Sequence, residues 1–216
     1  MGILSFIYHE ILYNPIFKIL TLFYNISGRN IGFAIIILTI LIKILLFPLT
    51  RKTYRIQKKM AVLQPKMKEI QLKHKGNKEE QARQTMALYK EHGVNPFSGF
   101  IPLLIQLPIL IALYQVLLKG LAKDSAVFNP LFFGINLANP NLWLGILVGI
   151  TQYFATKLTF SSKSVENKMP ASMNYIMPAF MAFIAIKLAS GIALYLLATT
   201  VLSVVEQLII KYERKN

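Results

Sequence analysis

Five stretches of this chain are candidates to cross a lipid bilayer, and that constraint comes before any other. A span takes about 20 apolar residues at about 1.5 Å of rise each. Runs of this kind lie at 30–49, 97–118, 141–158, 173–188 and 190–210. In hydrocarbon each backbone N–H and C=O must be satisfied inside its own helix or a closed barrel, so the expected fold is an all-α membrane bundle of five transmembrane helices. Composition agrees: 55% of the 216 residues are hydrophobic and only 15% are charged. The fourth and fifth runs are parted by little more than Ala189 in KLASGIA, where Lys187, Ser190 and Gly191 make a tight turn. These two runs read as a transmembrane hairpin.

Charge is confined to the stretches between the runs. There are 24 Lys and Arg against 9 Asp and Glu. With the N-terminus outside, segment 50–96, loop 159–172 with Lys157 at its edge, and tail 211–216 hold 18 of the basic residues. The outer side then keeps Lys18, Arg29, Lys119, Lys123 and Lys187, with 119–140 as the extracytoplasmic loop. The positive-inside rule therefore favours N-outside and C-inside. Residues 1–29 lack the basic start and small-residue cleavage site of a signal peptide. Their apolar positions recur at roughly helical spacing between Glu10, Asn14, Pro15 and Lys18, which favours an interfacial amphipathic helix over a short span or a re-entrant element.

Segment 50–96 is too polar for lipid but patterned for helix. Met60, Leu63, Met67 and Ile70 form one stripe, Gly76 stops it, and Asn77 with Glu80 resembles a capping box before Ala82, Met86 and Tyr89 resume it. The expectation is a cytosolic helical hairpin whose basic surface includes Arg51, Lys52, Lys58, Lys59 and Lys66. That surface is either plain solvated polarity or a face for lipid headgroups or ribosomal RNA.

The anomaly is Lys43, in the middle of ILTILIKILLFPL. A charge at the centre of a span costs about 2.5–3.5 kcal/mol on insertion scales. Its amine either snorkels to the inner headgroups or points into a water-filled cavity between helices. Thr39 shares its helical face. Gln106 lies between Pro102 and Pro108, and Thr199, Thr200 and Ser203 lie midway along the last run, with Glu206 and Gln207 toward its inner end. An unsatisfied amide in hydrocarbon costs several kcal/mol, so Gln106 is either interhelical glue or part of a polar groove. Met169, Met173, Met177 and Met181 form a soft, drifting stripe, and Gly145 with Gly149 reads as close helix packing.

No catalytic constellation is present. His9, His74 and His92 are scattered, Asp124 is the only Asp, and there is no Cys, no H-E-x-x-H and no P-loop. The chain is expected to be no enzyme, to hold neither metal nor cofactor, and to bind no DNA.

NPFSGFIPLLIQLPILIALY (95–114), ILLFPLTRKTYRIQKKMAVLQPKMKEIQ (44–71) and LASGIALYLL (188–197) resemble, in order and spacing, the YidC/Oxa/Alb membrane protein insertases. The resemblance implies five spans around a hydrophilic groove open to cytosol and lipid, in the bacterial cytoplasmic membrane. It implies insertion and folding of nascent membrane proteins, alone or with the Sec translocon and ribosome, with no nucleotide. Lys43 falls where members carry a groove-lining basic residue, usually Arg, and here lacks the two-pronged fork. Thr39, Gln106, Thr199 and Ser203 match groove positions. Met173, Met177, Met181, Tyr195 and Leu196 are expected to form a greasy substrate path, the methionines being otherwise ordinary core or lipid contacts, and Leu196 stands where many members have an aromatic. On this reading the positive recess draws in a short acidic or polar segment, and the substrate's apolar helix leaves sideways into lipid. The alternatives are a non-inserting membrane assembly chaperone and a small-solute channel or carrier, the latter calling for a continuous polar path.

Overall fold

The computed structural model describes residues 8–95, 98, 101–121, 127–160 and 171–212. Within them the chain is mostly helical. Helix α1 (Asn14–Ile26) continues directly from a π-helical turn at His9–Tyr13 and carries Pro15 in its first turn. Ile16, Leu20 and Tyr24 recur every four residues, and this single stripe is what α1 buries. Residues 1–7 of the expected interfacial segment lie outside the described residues.

Helix α2 (Ile31–Lys73) starts at Asn30, whose side chain accepts a hydrogen bond from the Phe33 amide at 3.2 Å. It then runs 43 residues without a break, across the expected boundary between 49 and 50 and with Pro48 and Pro65 inside it. The change from apolar to basic sequence alters what the helix faces, not the backbone bonds that propagate it. At its end Gly76 turns the chain with φ +100°, a left-handed conformation that side chains resist. Asn77 then caps α3 (Lys78–Glu91) by accepting from the Glu80 amide at 3.0 Å. The capping box is only half made, because the Glu80 carboxylate accepts from Gln84 and Arg83. Those two bonds hold its carboxyl below the usual range. Helices α2 and α3 close on a small core of Leu63, Leu88, Tyr89 and Val94. Burial pushes up the Tyr89 phenol, which donates to Met67 Sδ at 3.0 Å.

The rest of the chain comprises α4 (Ile101–Gly120), the short antiparallel pair β1 (Leu131–Phe132) and β2 (Ile135–Asn136), and then α5 (Leu142–Phe160), α6 (Ala171–Lys187) and α7 (Ser190–Tyr212). In α5, Gly145 and Gly149 face α6 so closely that a Cβ at either would stand within 3 Å of Ile186 or Ala182. The first amides of α7, from Ser190 and Gly191, donate to the carbonyls of Asn139 and Leu137, each at 2.9 Å. The segment that follows β2 thus satisfies donors that a helix start leaves open.

Ile31, Ile35, Leu38, Leu113, Val116, Leu117, Leu137, Ile192 and Tyr195 fill the main core. Among the described residues two helices, fewer than the five spans expected, are long and apolar enough, by length and composition, to cross a membrane: Ile31–Met60 within α2, and α7. Leu104–Gly120, Leu142–Leu158 and Pro178–Lys187 are shorter apolar helices. Ile44, Leu45, Leu104, Phe154, Phe180 and Phe183 are exposed around the bundle. In water so much bare apolar surface would drive aggregation, whereas in lipid it needs no cover.

Candidate functional site

The amine of Lys43 does not reach along its own helix. It crosses to α7 and donates to Ser203 Oγ at 2.6 Å and to Glu206 Oε2 at 3.0 Å. Ser203 and Glu206 are three residues apart, hence on one face of α7, and that face is turned toward α2. The two charged side chains keep 15% and 8% of their exposure. An ammonium this far from water is tolerable only with a carboxylate and hydrogen bonds to offset its lost hydration. The structure therefore holds Lys43 in an ion pair, an arrangement that neither the snorkelling nor the open-cavity expectation contained.

The pair is not saturated. Ser203 and Glu206 use two of the three ammonium protons. On the other side, Glu206 Oε1 is buried and has no hydrogen-bond partner among the described residues. Tyr54, three turns along α2, hydrogen-bonds Gln207 and lies near enough to Glu206 to feel its charge. Ser203 in turn donates to the Thr199 carbonyl at 2.9 Å. Lys43, Ser203, Glu206 and Thr199 thus form one polar cluster between α2 and α7.

A second polar contact lies about two helical turns up α7, roughly 12 Å away: Gln106 of α4 donates to the Tyr195 hydroxyl. On the same helix Thr200 donates to Gln152 of α5 at 3.2 Å. Thr39 is buried, and its hydroxyl goes to the Ile35 carbonyl of its own helix at 2.6 Å. Tyr195 and Leu196 are 1% and 4% exposed, inside the core and not on an open face. Met181 packs half-buried against that core. Met169 and the side chains of Met173 and Met177 lie outside what the structure describes. The basic residues stand apart from the cluster, along the continuation of α2. Lys52, Lys58, Lys59 and Lys66 are exposed and Arg51 is half-buried, with Lys66 Nζ 3.4 Å from His92 Nε2. Among the described residues no three His, Cys, Asp or Glu gather as metal ligands would.

Sequence reasoning noted Glu206 but did not assign it to the site, and it overlooked Gln152 and Tyr54. A signal for Glu206 existed. It is the sole acidic residue in any of the five apolar runs, and a lone carboxylate in such a run calls for a cation on a neighbouring helix.

Comparison with known proteins adds to this geometry. A family model described as 60Kd inner membrane protein matches residues 22–216. The membrane protein insertase YidC 2 of Listeria innocua is 35% identical over 208 residues, which cover 94% of this chain and 71% of that protein. The membrane protein insertase YidC of Francisella philomiragia is 37% identical over 209 residues, 97% of this chain but 36% of the relative. A solved structure described as an active YidC insertase, with its first transmembrane domain resolved, superposes with a TM-score of 0.68 at 25% identity. That likeness covers 92% of this chain and 45% of the other. The chain thus spans less than half of two of these three proteins.

Proposed function

The chain belongs to the YidC family of 60Kd inner membrane proteins, and from that premise we propose that it inserts and folds membrane proteins in the bacterial inner membrane through the cluster at Lys43. Five helices, α2 and α4 to α7, serve as spans around a polar groove. The N-terminus lies outside and the C-terminus inside, so that α3 and the end of α2 form a cytosolic hairpin. Nascent membrane proteins are the substrates, delivered alone or with the Sec translocon and ribosome. No cofactor and no covalent chemistry are required.

One observation carries this reading: an ammonium set in the middle of an apolar helix, on a side chain that stays 15% exposed, donates to only two partners among the described residues. A cation in a low-dielectric recess attracts a passing carboxylate far more strongly than it would in water. A short acidic or polar segment reaching Lys43 is therefore brought into the bilayer at reduced cost, and burial of the substrate's own apolar helix in lipid completes the step. The exposed apolar face of the bundle, including Ile44, Leu45 and Leu104, gives that helix a lateral way out.

The test must remove both charges, because Lys43→Gln alone would leave Glu206 buried without its cation. The full chain in vesicles is compared with the K43Q/E206Q variant for insertion of a single-span substrate whose translocated segment carries one Asp. Insertion should fall in K43Q/E206Q and persist in Lys43→Arg. Equal insertion by wild type and K43Q/E206Q would show that no essential charge resides at this place.

A further inference from the structure

We infer that Glu206 is an internal counter-ion which occupies the position at Lys43 that an incoming carboxylate must take, and that it thereby sets how much acidic charge a substrate segment needs. The inference rests on the reading of Lys43 just given, and it assigns a specificity-determining role to a different residue on a different helix.

Glu206 Oε2 stands 3.0 Å from Lys43 Nζ, the distance of a charge-assisted hydrogen bond. At that separation the two charges present an approaching anion with a dipole, whose field falls off faster than that of a lone cation. A substrate carboxylate therefore meets a partly masked lysine and binds by exchange. Two features suit Glu206 to exchange more than to serve as a fixed clamp. Its second oxygen has no hydrogen-bond partner among the described residues, so only one of its two oxygens is tied to the lysine. Lysine presents compact, rotatable donors without the planar fork that would lock one carboxylate in place, and Ser203 accepts one of its protons at 2.6 Å. When Glu206 swings away, the ammonium keeps Ser203 as a partner and offers its other protons to the newcomer.

The consequence is a threshold. A neutral polar segment gains little from a masked lysine, a single carboxylate competes one for one with Glu206, and two carboxylates outcompete it. Removing the Glu206 charge should abolish the threshold.

The experiment uses the full chain in vesicles and three substrates, identical except for none, one or two Asp in the translocated segment. Glu206→Gln keeps the side-chain shape and is expected to raise insertion of the one-Asp substrate by at least about five-fold, the low end of a typical coupling between two binding events. The neutral substrate should change little, and the gain from one Asp to two should shrink. A purely structural Glu206 would instead lower insertion of all three together. If E206Q inserts the one-Asp substrate no better than wild type while K43Q/E206Q inserts it worse, the counter-ion role is overturned and the role of Lys43 stands. If K43Q/E206Q equals wild type, the function proposed for Lys43 fails first. Should E206Q not accumulate in the membrane, Glu206→Asp keeps the charge but shortens its reach by one methylene. It should give a smaller gain of the same pattern, and no gain would refute the inference.

Discussion

The contact between α5 and α6 permits a quantitative test in which a loss and its repair are both expected. A Cβ built on Gly149 would lie 2.7 Å from Ala182 Cβ, and its next neighbours are the Pro178 carbonyl at 3.6 Å and Ala182 Cα at 3.8 Å. Gly149→Ala therefore forces the helices apart by roughly 1 Å, and overpacking of this kind costs about 1–3 kcal/mol. Adding Ala182→Gly removes the one offending methyl and leaves only ordinary contacts. Helix propensity cancels in the pair, since the roughly 0.5–1 kcal/mol gained at 149 is lost at 182. The G149A/A182G variant should thus return to within about 0.5 kcal/mol of wild type. The chain carries its own reporter: Trp143, the only tryptophan, lies in the first turn of α5 and is 73% exposed. Its fluorescence, followed as the purified chain is titrated from a mild into a denaturing detergent, reads the midpoint for each variant. A Gly149→Ala protein as stable as wild type, or a double variant no better than the single one, would refute the packing argument.

Three further outcomes are expected. Lys43→Met should cost about 3–5 kcal/mol in the same titration, toward the lower end because the pair is not fully enclosed, since it leaves the Glu206 charge buried. K43M/E206M should lie close to wild type. Tyr24→Phe should destabilise by about 0.5–1.5 kcal/mol, because the Tyr24 hydroxyl accepts from the Asn129 amide at 2.9 Å and only water can replace it; hydrogen exchange at Asn129 is the local readout. Asn77→Ala should loosen the start of α3 by about 0.5–2 kcal/mol, seen as faster exchange of the Glu80 amide that Asn77 now caps.

Much of the local structure could be read from residue order alone. The helix cap at Asn77, the turn at Gly76 and the close pair Gly145/Gly149 each depend on neighbours within a few positions. Such neighbours act through the backbone bonds of a single turn. The polarity change near residue 50 was legible as well, but not as a helix end, because α2 continues through it to Lys73. The capping box at Asn77 was half right: the Glu80 side chain prefers Gln84 and Arg83, two partners one turn away that compete with the cap.

The sequence by itself determined that this chain is a helical membrane protein, where its apolar runs lie, that a lysine interrupts one and a glutamate another, and to which family its motifs belong. Only the tertiary structure decided that these two residues, 163 positions apart, meet. Periodicity determines which residues share a face of one helix, but not how far that helix is rotated or slid against another. A shift of one residue along α7 turns a side chain through about 100° and would move the Glu206 carboxylate out of reach of Lys43. Rotation and offset are set by packing summed over the whole bundle, here by Gly191 against Leu117 and by the loop carbonyls of Leu137 and Asn139 that anchor the start of α7. Whether the lysine is bare or masked is therefore a property of the assembled helices, and of neither run alone.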